Sequence, residues 1–357
     1  MFSSIVQAGS KALGGARFSL VNLMPTAFFI TFMAALIASG AYTHPAPNLR
    51  PVINVFTKNP GWAVAAGFGI FLVAVLLRPF QAALVQFLEG YWRRWSSLEF
   101  ANDIATERHR RIRNTAEVIF FRASQPQEPS GKDLKEVADY AQRLRKFRRV
   151  KNHASLIMNR YPRDIDGYDR LMPTLLGNTL RDGEDYSGGR YGLEMPVVYP
   201  RMYPSLSPKL DSAISAQLDM INTTSALCIA CGLIAVLSLP LIVRMNWWSL
   251  TPIVAALTSI LSYRGAIATA RGHGRLLATA FDLHRFDMLN SLHYELPITP
   301  QKELALNKTL SGFLESHERD AVLRMREFPY KHPVASAEGS TDAVNSPDPD
   351  SDHTADR

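Results

Sequence analysis

Residues 220–264 read MINTTSALCIACGLIAVLSLPLIVRMNWWSLTPIVAALTSILSYR, and Arg244 is the only charge before Arg264. A membrane-crossing helix needs about 20 mostly apolar residues. This stretch holds two such runs, 220–243 and 247–264, joined by a turn at 244–246, so they read as an antiparallel pair. Trp247 and Trp248 at the turn fit an interfacial aromatic belt. A second pair lies upstream. No charge interrupts Phe18–Thr43, and the uncharged run after Asn59 is bounded by Lys58 and Arg78. The expected fold is an all-α integral membrane protein: four transmembrane helices (18–43, 59–78, 220–243, 247–264) arranged as two hairpins, with a helical cytoplasmic domain inserted between them. A cleaved signal peptide is the alternative reading of the first run. That run is long for a signal core and its Ala-x-Ala sites are weak.

Lys11 and Arg17 precede the first run, Arg78, Arg93 and Arg94 follow the second, and Arg264, Arg271 and Arg275 follow the fourth. The opposite side offers Arg50 and Lys58 in the 44–58 loop and Arg244 in the turn. The positive-inside rule therefore places residues 1–17, 79–219 and 265–357, and with them both termini, in the cytoplasm.

The chain has 357 residues, a net charge of +7 and 47% hydrophobic residues, sorted into apolar and highly charged blocks. That sorting argues against one soluble globule. The basic balance suits anionic lipid headgroups better than nucleic acid, for which no aromatic interleaving or finger motif is present. The two cysteines, Cys228 and Cys231, sit in one apolar run and read as small packing residues. A C-x-x-C redox motif would need a βαβ context.

In the middle segment, Leu84, Phe87, Leu88, Tyr91, Trp92, Trp95 and Leu98 recur at helical spacing, as though the second span continued inward with a kink at Pro79. A further helix is expected over 133–160, packing as a hairpin with the charged run before it. Arg143, Arg145, Lys146, Arg148, Arg149 and Lys151 cluster on it. The cluster reads as a solvated face or as a contact for anionic lipid. Residues 161–208 carry prolines at 162, 173, 196, 200, 204 and 208, which forbid a long helix. A short helix over 174–186, ended by Gly188 and Gly189, and an ordered loop are expected. Ser207-Pro208 reads as the N-cap and first position of a helix entering the third span. An amphipathic piece over 304–326 precedes a tail, 332–357, disordered by composition.

The runs LMPTLLGN, EDY, RYGLE, VVYPR and YPSL, with the later AFDLHRFD, resemble uncharacterised multi-pass membrane proteins of actinomycete bacteria over about 160–295. Tyr199 and Glu194 depart mildly from the Trp and Asp of that pattern. The resemblance implies the topology and no reaction.

No P-loop, G-x-G-x-x-G, G-x-S-x-G or H-E-x-x-H is present, and no cofactor is implied. His273, His284 and His293 scatter around one helix. Asp164, Asp166 and Asp169 resemble part of a calcium loop without its downstream Glu. Asp164, Asp166, Arg181, Glu184, Asp185, Arg190 and Arg201 read as a loop network of ion pairs. Asp282 and Arg285 are spaced to pair. Arg78 and Arg264 close their spans and read as snorkelling residues, or as pore lining where small neighbours permit close approach. Three functional readings follow. The first is a non-enzymatic scaffold or sensor that binds a protein partner or self-associates. The others are an oligomeric channel or transporter, and a membrane-bound enzyme using the 161–208 loop.

Overall fold

A computed structural model describes residues 24–44, 48, 50–77, 80–92, 96–128, 134–164, 167, 169–316 and 325–331. The expectations for 1–17 and 332–357, and for Arg78, Pro79 and Asp166, lie outside them.

The described residues form helices and no strand, with one isolated bridge between Tyr294 and Tyr330. In chain order the helices are α1 (Met24–Ala38), α2 (Arg50–Lys58), α3 (Pro60–Leu77), α4 (Gln81–Glu89), α5 (Glu99–Arg122), α6 (Leu134–Met158), α7 (Leu175–Gly189), α8 (Met195–Met202), α9 (Pro208–Leu237), α10 (Thr251–Ser291) and α11 (Pro300–Glu315). Two stretches, Pro208–Leu237 and Trp247–Ser291, are long and apolar enough to cross a membrane, and α1 and the start of α3 are shorter apolar helices.

α9 and α10 run antiparallel. Gln217 lies over Gly272, Thr224 packs on Gly265, and Ser259 Oγ donates to the Cys228 carbonyl at 2.8 Å, so partner numbers fall along α10 as they rise along α9. Cys228 and Cys231 are buried free thiols in this seam. Ser207 and Pro208 start α9. At its far end the Ser238 hydroxyl turns back to the Ile234 carbonyl at 2.6 Å, and Pro240 has no N–H with which to continue an α-helix. The chain then reverses through two 3-10 turns, Leu239–Arg244 and Trp247–Leu250. Asn246 and Ser249 close the second in a reciprocal capping box. The reversal thus occupies more chain than residues 244–246.

Burial changes sign along this pair. From residue 266 onward α10 is packed as in a soluble core: Phe281, Met288 and Leu289 have no exposed surface and meet Val198, Met202, Ile214 and Leu310. Each such side chain contributes about 2–3 kcal/mol on leaving water. At the other end the apolar side chains point outward. Leu233, Val236, Leu237, Ile253, Val254, Leu257 and Leu261 are all exposed, as are Trp62, Phe68, Leu72 and Leu76 on α3. α1 joins this end through Leu36 and Ala41 against Leu241, and Tyr42 Oη donates to the Leu237 carbonyl at 3.2 Å.

Two local expectations are corrected. The recurrence from Leu84 to Leu98 does not make one helix, because Gly90 adopts φ +98° and ends α4 before a 3-10 turn at Ser96–Leu98. The Gly90 and Tyr91 N–H groups both bond back to the Gln86 carbonyl, and a Cβ on Gly90 would lie 2.3 Å from the Pro173 ring. The 161–208 segment holds α8 as well as α7. α8 is eight residues long and carries Pro196 at its start and Pro200 inside. Proline removes few hydrogen bonds from so short a helix.

Candidate functional site

The residues with unusual environments gather where α7 lies between α4 and α10. Thr174 caps α7: its Oγ1 accepts the Gly177 N–H at 3.0 Å and donates to the Glu89 carbonyl at 2.7 Å. Two glycines let the helices meet. A Cβ at Gly177 would stand 2.1 Å from the Glu89 carbonyl oxygen, and one at Gly183 would stand 2.8 Å from the Gly274 Cα on α10. Asn178 is fully buried and ties down the preceding loop, accepting from Met172 N and donating to the Met172 and Thr174 carbonyls. The Tyr263 hydroxyl accepts the Leu176 N–H at 3.2 Å.

Four carboxylates surround this joint. Burial, and then the facing Glu184, push Glu89 up to about 7, while Arg181 pulls it down. Burial and Asp185 lift Asp182 to about 6. Glu184 and Asp185 are raised, chiefly by burial. Asp185 pairs with Arg170 at 2.8 Å, and Arg170 Nε and Asp185 Oδ2 are buried without a protein partner. Arg181 points Nη1 at the Met172 sulfur, 3.4 Å away.

The structure distributes the remaining loop residues among separate anchors. Asp164 bonds Arg113 at 2.8 Å and Asp169 bonds Arg110 at 2.6 Å, fastening the loop to α5. Arg190 and the Tyr191 hydroxyl both bond Asp282 on α10. Arg201 bonds the Val197 carbonyl of its own helix. Arg285 does not pair with the Asp282 carboxylate. Its Nε meets Glu303 at 2.7 Å, and its guanidinium stacks on Tyr191 and Phe286 at 4.1 and 4.2 Å. The expected single network is therefore divided among separate places: the α7 joint, the α5 anchor, the Arg190–Asp282 pair and the isolated Arg201. Glu89, Asp182 and Glu303 are the participants that local spacing did not reveal, since the partners of Glu89 and Glu303 come from other helices.

Arg145, Lys146, Arg148 and Arg149 are exposed on α6. α5 and α6 form an antiparallel hairpin in which Ala116 and Ala154 are buried and Lys151 sits over the Phe120 ring at 4.7 Å. Beside that seam runs an open groove of about 530 Å³ whose floor includes Ile112, Ala116, Ile119, Val150, Ala154 and Ile157 and whose rims include Arg111, Arg149 and His153. On α10, Arg264, Arg271 and Arg275 share one exposed helical face. Burial, then Arg160 and Arg275, hold the Arg271 guanidinium below its ordinary value. His273 is buried, its Nδ1 has no protein partner, and burial lowers its pKa to about 4. Among the described residues no three His, Cys, Asp or Glu side chains converge to hold a metal ion.

No protein-family model matches the chain, and no curated protein or solved structure matches it. The chemistry has to be read from the residues themselves. The acids described above are engaged in joints and ion pairs, and the α5–α6 hairpin carries an open apolar groove.

Proposed function

We propose that this chain is a multi-pass bacterial plasma-membrane protein whose cytoplasmic α5–α6 hairpin self-associates, making it a non-enzymatic scaffold. Under this reading α1, α3, α9 and α10 supply the four spans, both termini are cytoplasmic, and the kinship with actinomycete multi-pass proteins rests on LMPTLLGN and RYGLE. The outward-facing side chains of α3, α9 and α10 support the membrane part, because lipid covers apolar surface that water would not tolerate on this scale.

The observation that carries self-association is the unfinished seam of the hairpin. Two helices alone bury little: in α5 and α6 together the buried residues are Asn102, Thr106, Ala116 and Ala154. Ile104, Ile112, Ile119, Val150 and Leu156 stay exposed. A second hairpin would complete a four-helix bundle. The exposed Arg264 face, with Arg271 and Arg275, supports contact with anionic lipid headgroups more than a pore lining.

Full-length protein in detergent is expected to elute as a dimer by light scattering. Ile112→Lys and Ile119→Lys, at positions already exposed in the monomer, should shift it to monomer without loss of helicity. A monomeric parent protein, or variants that stay dimeric, would contradict this reading.

A further inference from the structure

We propose that the acidic segment 332–357 docks on the basic face of α6 in the same chain, with Asp348, Asp350 and Asp352 covering Arg145, Arg148 and Arg149. Arg143, Arg145, Lys146, Arg148 and Arg149 are exposed, and among the described residues none of them makes an ion pair. No Asp or Glu occurs between Asp139 and Asp164 to neutralise them. α5 is the contrast, because Arg110 bonds Asp169, Arg111 bonds Glu107 and Arg113 bonds Asp164. Ala154 is buried in the hairpin seam. At about 3.6 residues per turn Arg145, Arg148 and Arg149 fall on the far side of α6 from it, with Lys146 flanking them. Arg145 meets Arg148 at i, i+3 and Arg149 at i, i+4, like-charge spacings that destabilise a helix until anions cover them.

Charge complementarity selects the occupant. Residues 332–357 carry Glu338, Asp342, Asp348, Asp350, Asp352 and Asp356 against Arg357 alone. Within them SPDPDSD, residues 346–352, places an acid at every second position and a proline after Ser346 and after Asp348. A residue before proline is steered to extended backbone. In an extended chain alternate residues recur about every 6–7 Å, close to the 5–6 Å between side chains one helical turn apart.

The root of this segment is fixed on the body. Met325 is buried, the Lys331 N–H bonds the His293 carbonyl at 2.7 Å, and the Tyr294 and Tyr330 rings stand 5.0 Å apart. The segment therefore leaves from the end of α10. The α5–α6 hairpin is tied to the same helix nearer its middle, through Arg113–Asp164, Arg170–Asp185 and the approach of Gly183 to Gly274. Along α10, Gly274 and the root are about 28 Å apart, whereas residues 332–357 reach about 85 Å when extended. A tether of this kind holds its acids at roughly millimolar local concentration, so weak, screened pairs suffice to close the contact.

Carbodiimide cross-linking of the full-length protein in neutral detergent joins a lysine amine to a carboxylate only where the two touch. Lys146 should be joined to Asp348, Asp350 or Asp352, ahead of Lys302 and Lys308 on α11, which packs beside the root. In a mixture of isotope-labelled and unlabelled protein, the joined peptides should come from one chain. Raising salt to about 1 M shortens the screening length to about 3 Å, and the yield should fall at least about fivefold. Arg145→Gln, Arg148→Gln and Arg149→Gln together leave both reacting groups in place and should lower the yield as much at low salt, with helicity unchanged. Absence of the Lys146 cross-link, as for a face that takes anionic lipid alone, would overturn the docking. So would cross-links formed only between chains, a pattern dominated by Lys302 and Lys308, or a yield indifferent to salt and to the three substitutions.

Discussion

Leu257→Arg is expected to reduce stable membrane insertion by about two orders of magnitude, although the residue is 62% exposed in the folded chain. The two settings for this surface make opposite forecasts. If water covered it, replacing an exposed leucine with a charged residue would change stability by no more than about 0.5 kcal/mol and improve solubility. If lipid covers it, an arginine at the middle of a span costs about 2.5–3.5 kcal/mol on insertion scales. Residue 257 lies midway along 251–264, too far from either end for an easy escape to the headgroups. Insertion of 247–269 into microsomal membranes, scored as the inserted fraction with and without the substitution, measures the difference. An unchanged fraction would contradict the membrane assignment.

Gly177→Ala is expected to be strongly damaging although it adds a single carbon atom. The new methyl carbon would stand 2.1 Å from the Glu89 carbonyl oxygen and 3.0 Å from both the Glu89 carbonyl carbon and the Met172 Cβ. Two of those three neighbours are backbone, so the clash is relieved only by moving α4 away from α7. Overpacking of this kind costs about 1–3 kcal/mol and sometimes more. The displacement would also break the Thr174–Glu89 hydrogen bond. Gly69→Ala is the contrasting case. Nothing lies within 4 Å of that position, and alanine in a helix interior is favoured by about 0.5–1 kcal/mol. Thermal unfolding in detergent should therefore show Gly177→Ala well below the parent and Gly69→Ala at or above it. Hydrogen exchange in the first variant should rise at residues 84–92.

The parts of this fold legible in the sequence are those fixed by neighbours along the chain. The apolar runs at 220–264 announce α9 and α10, and Ser207-Pro208 marks where α9 starts. Thr174 and the Gly188-Gly189 pair bracket α7 to within a few residues. α9 and α10 are 30 and 41 residues long, or about 45 and 62 Å. Both exceed a hydrocarbon core of about 30 Å, so both helices would project beyond the bilayer once a membrane is assumed.

What remained illegible depends on distant partners. Gly90 looked like one residue within a helical recurrence, but it ends α4 in a left-handed conformation, and Pro173, far along the chain, packs where its side chain would stand. Asp282 and Arg285 had the right spacing to pair, yet each found a better-placed partner, Arg190 and Glu303, on another element. Glu89 carried no signal at all. Its neighbours along the chain are ordinary, and its raised carboxyl arises from burial against a helix that begins 86 residues later.

The central claim, that the reversal between α9 and α10 lies outside the membrane and α7 lies inside, is tested most directly by single-cysteine labelling of intact cells. Met245 is 93% exposed at the reversal and Tyr186 is 58% exposed on α7, while the native Cys228 and Cys231 are buried. With a membrane-impermeant maleimide, Met245→Cys should react in intact cells and Tyr186→Cys only after permeabilisation. Reaction of Tyr186→Cys in intact cells, protection of Met245→Cys until permeabilisation, or recovery of the protein in the soluble fraction would contradict the account.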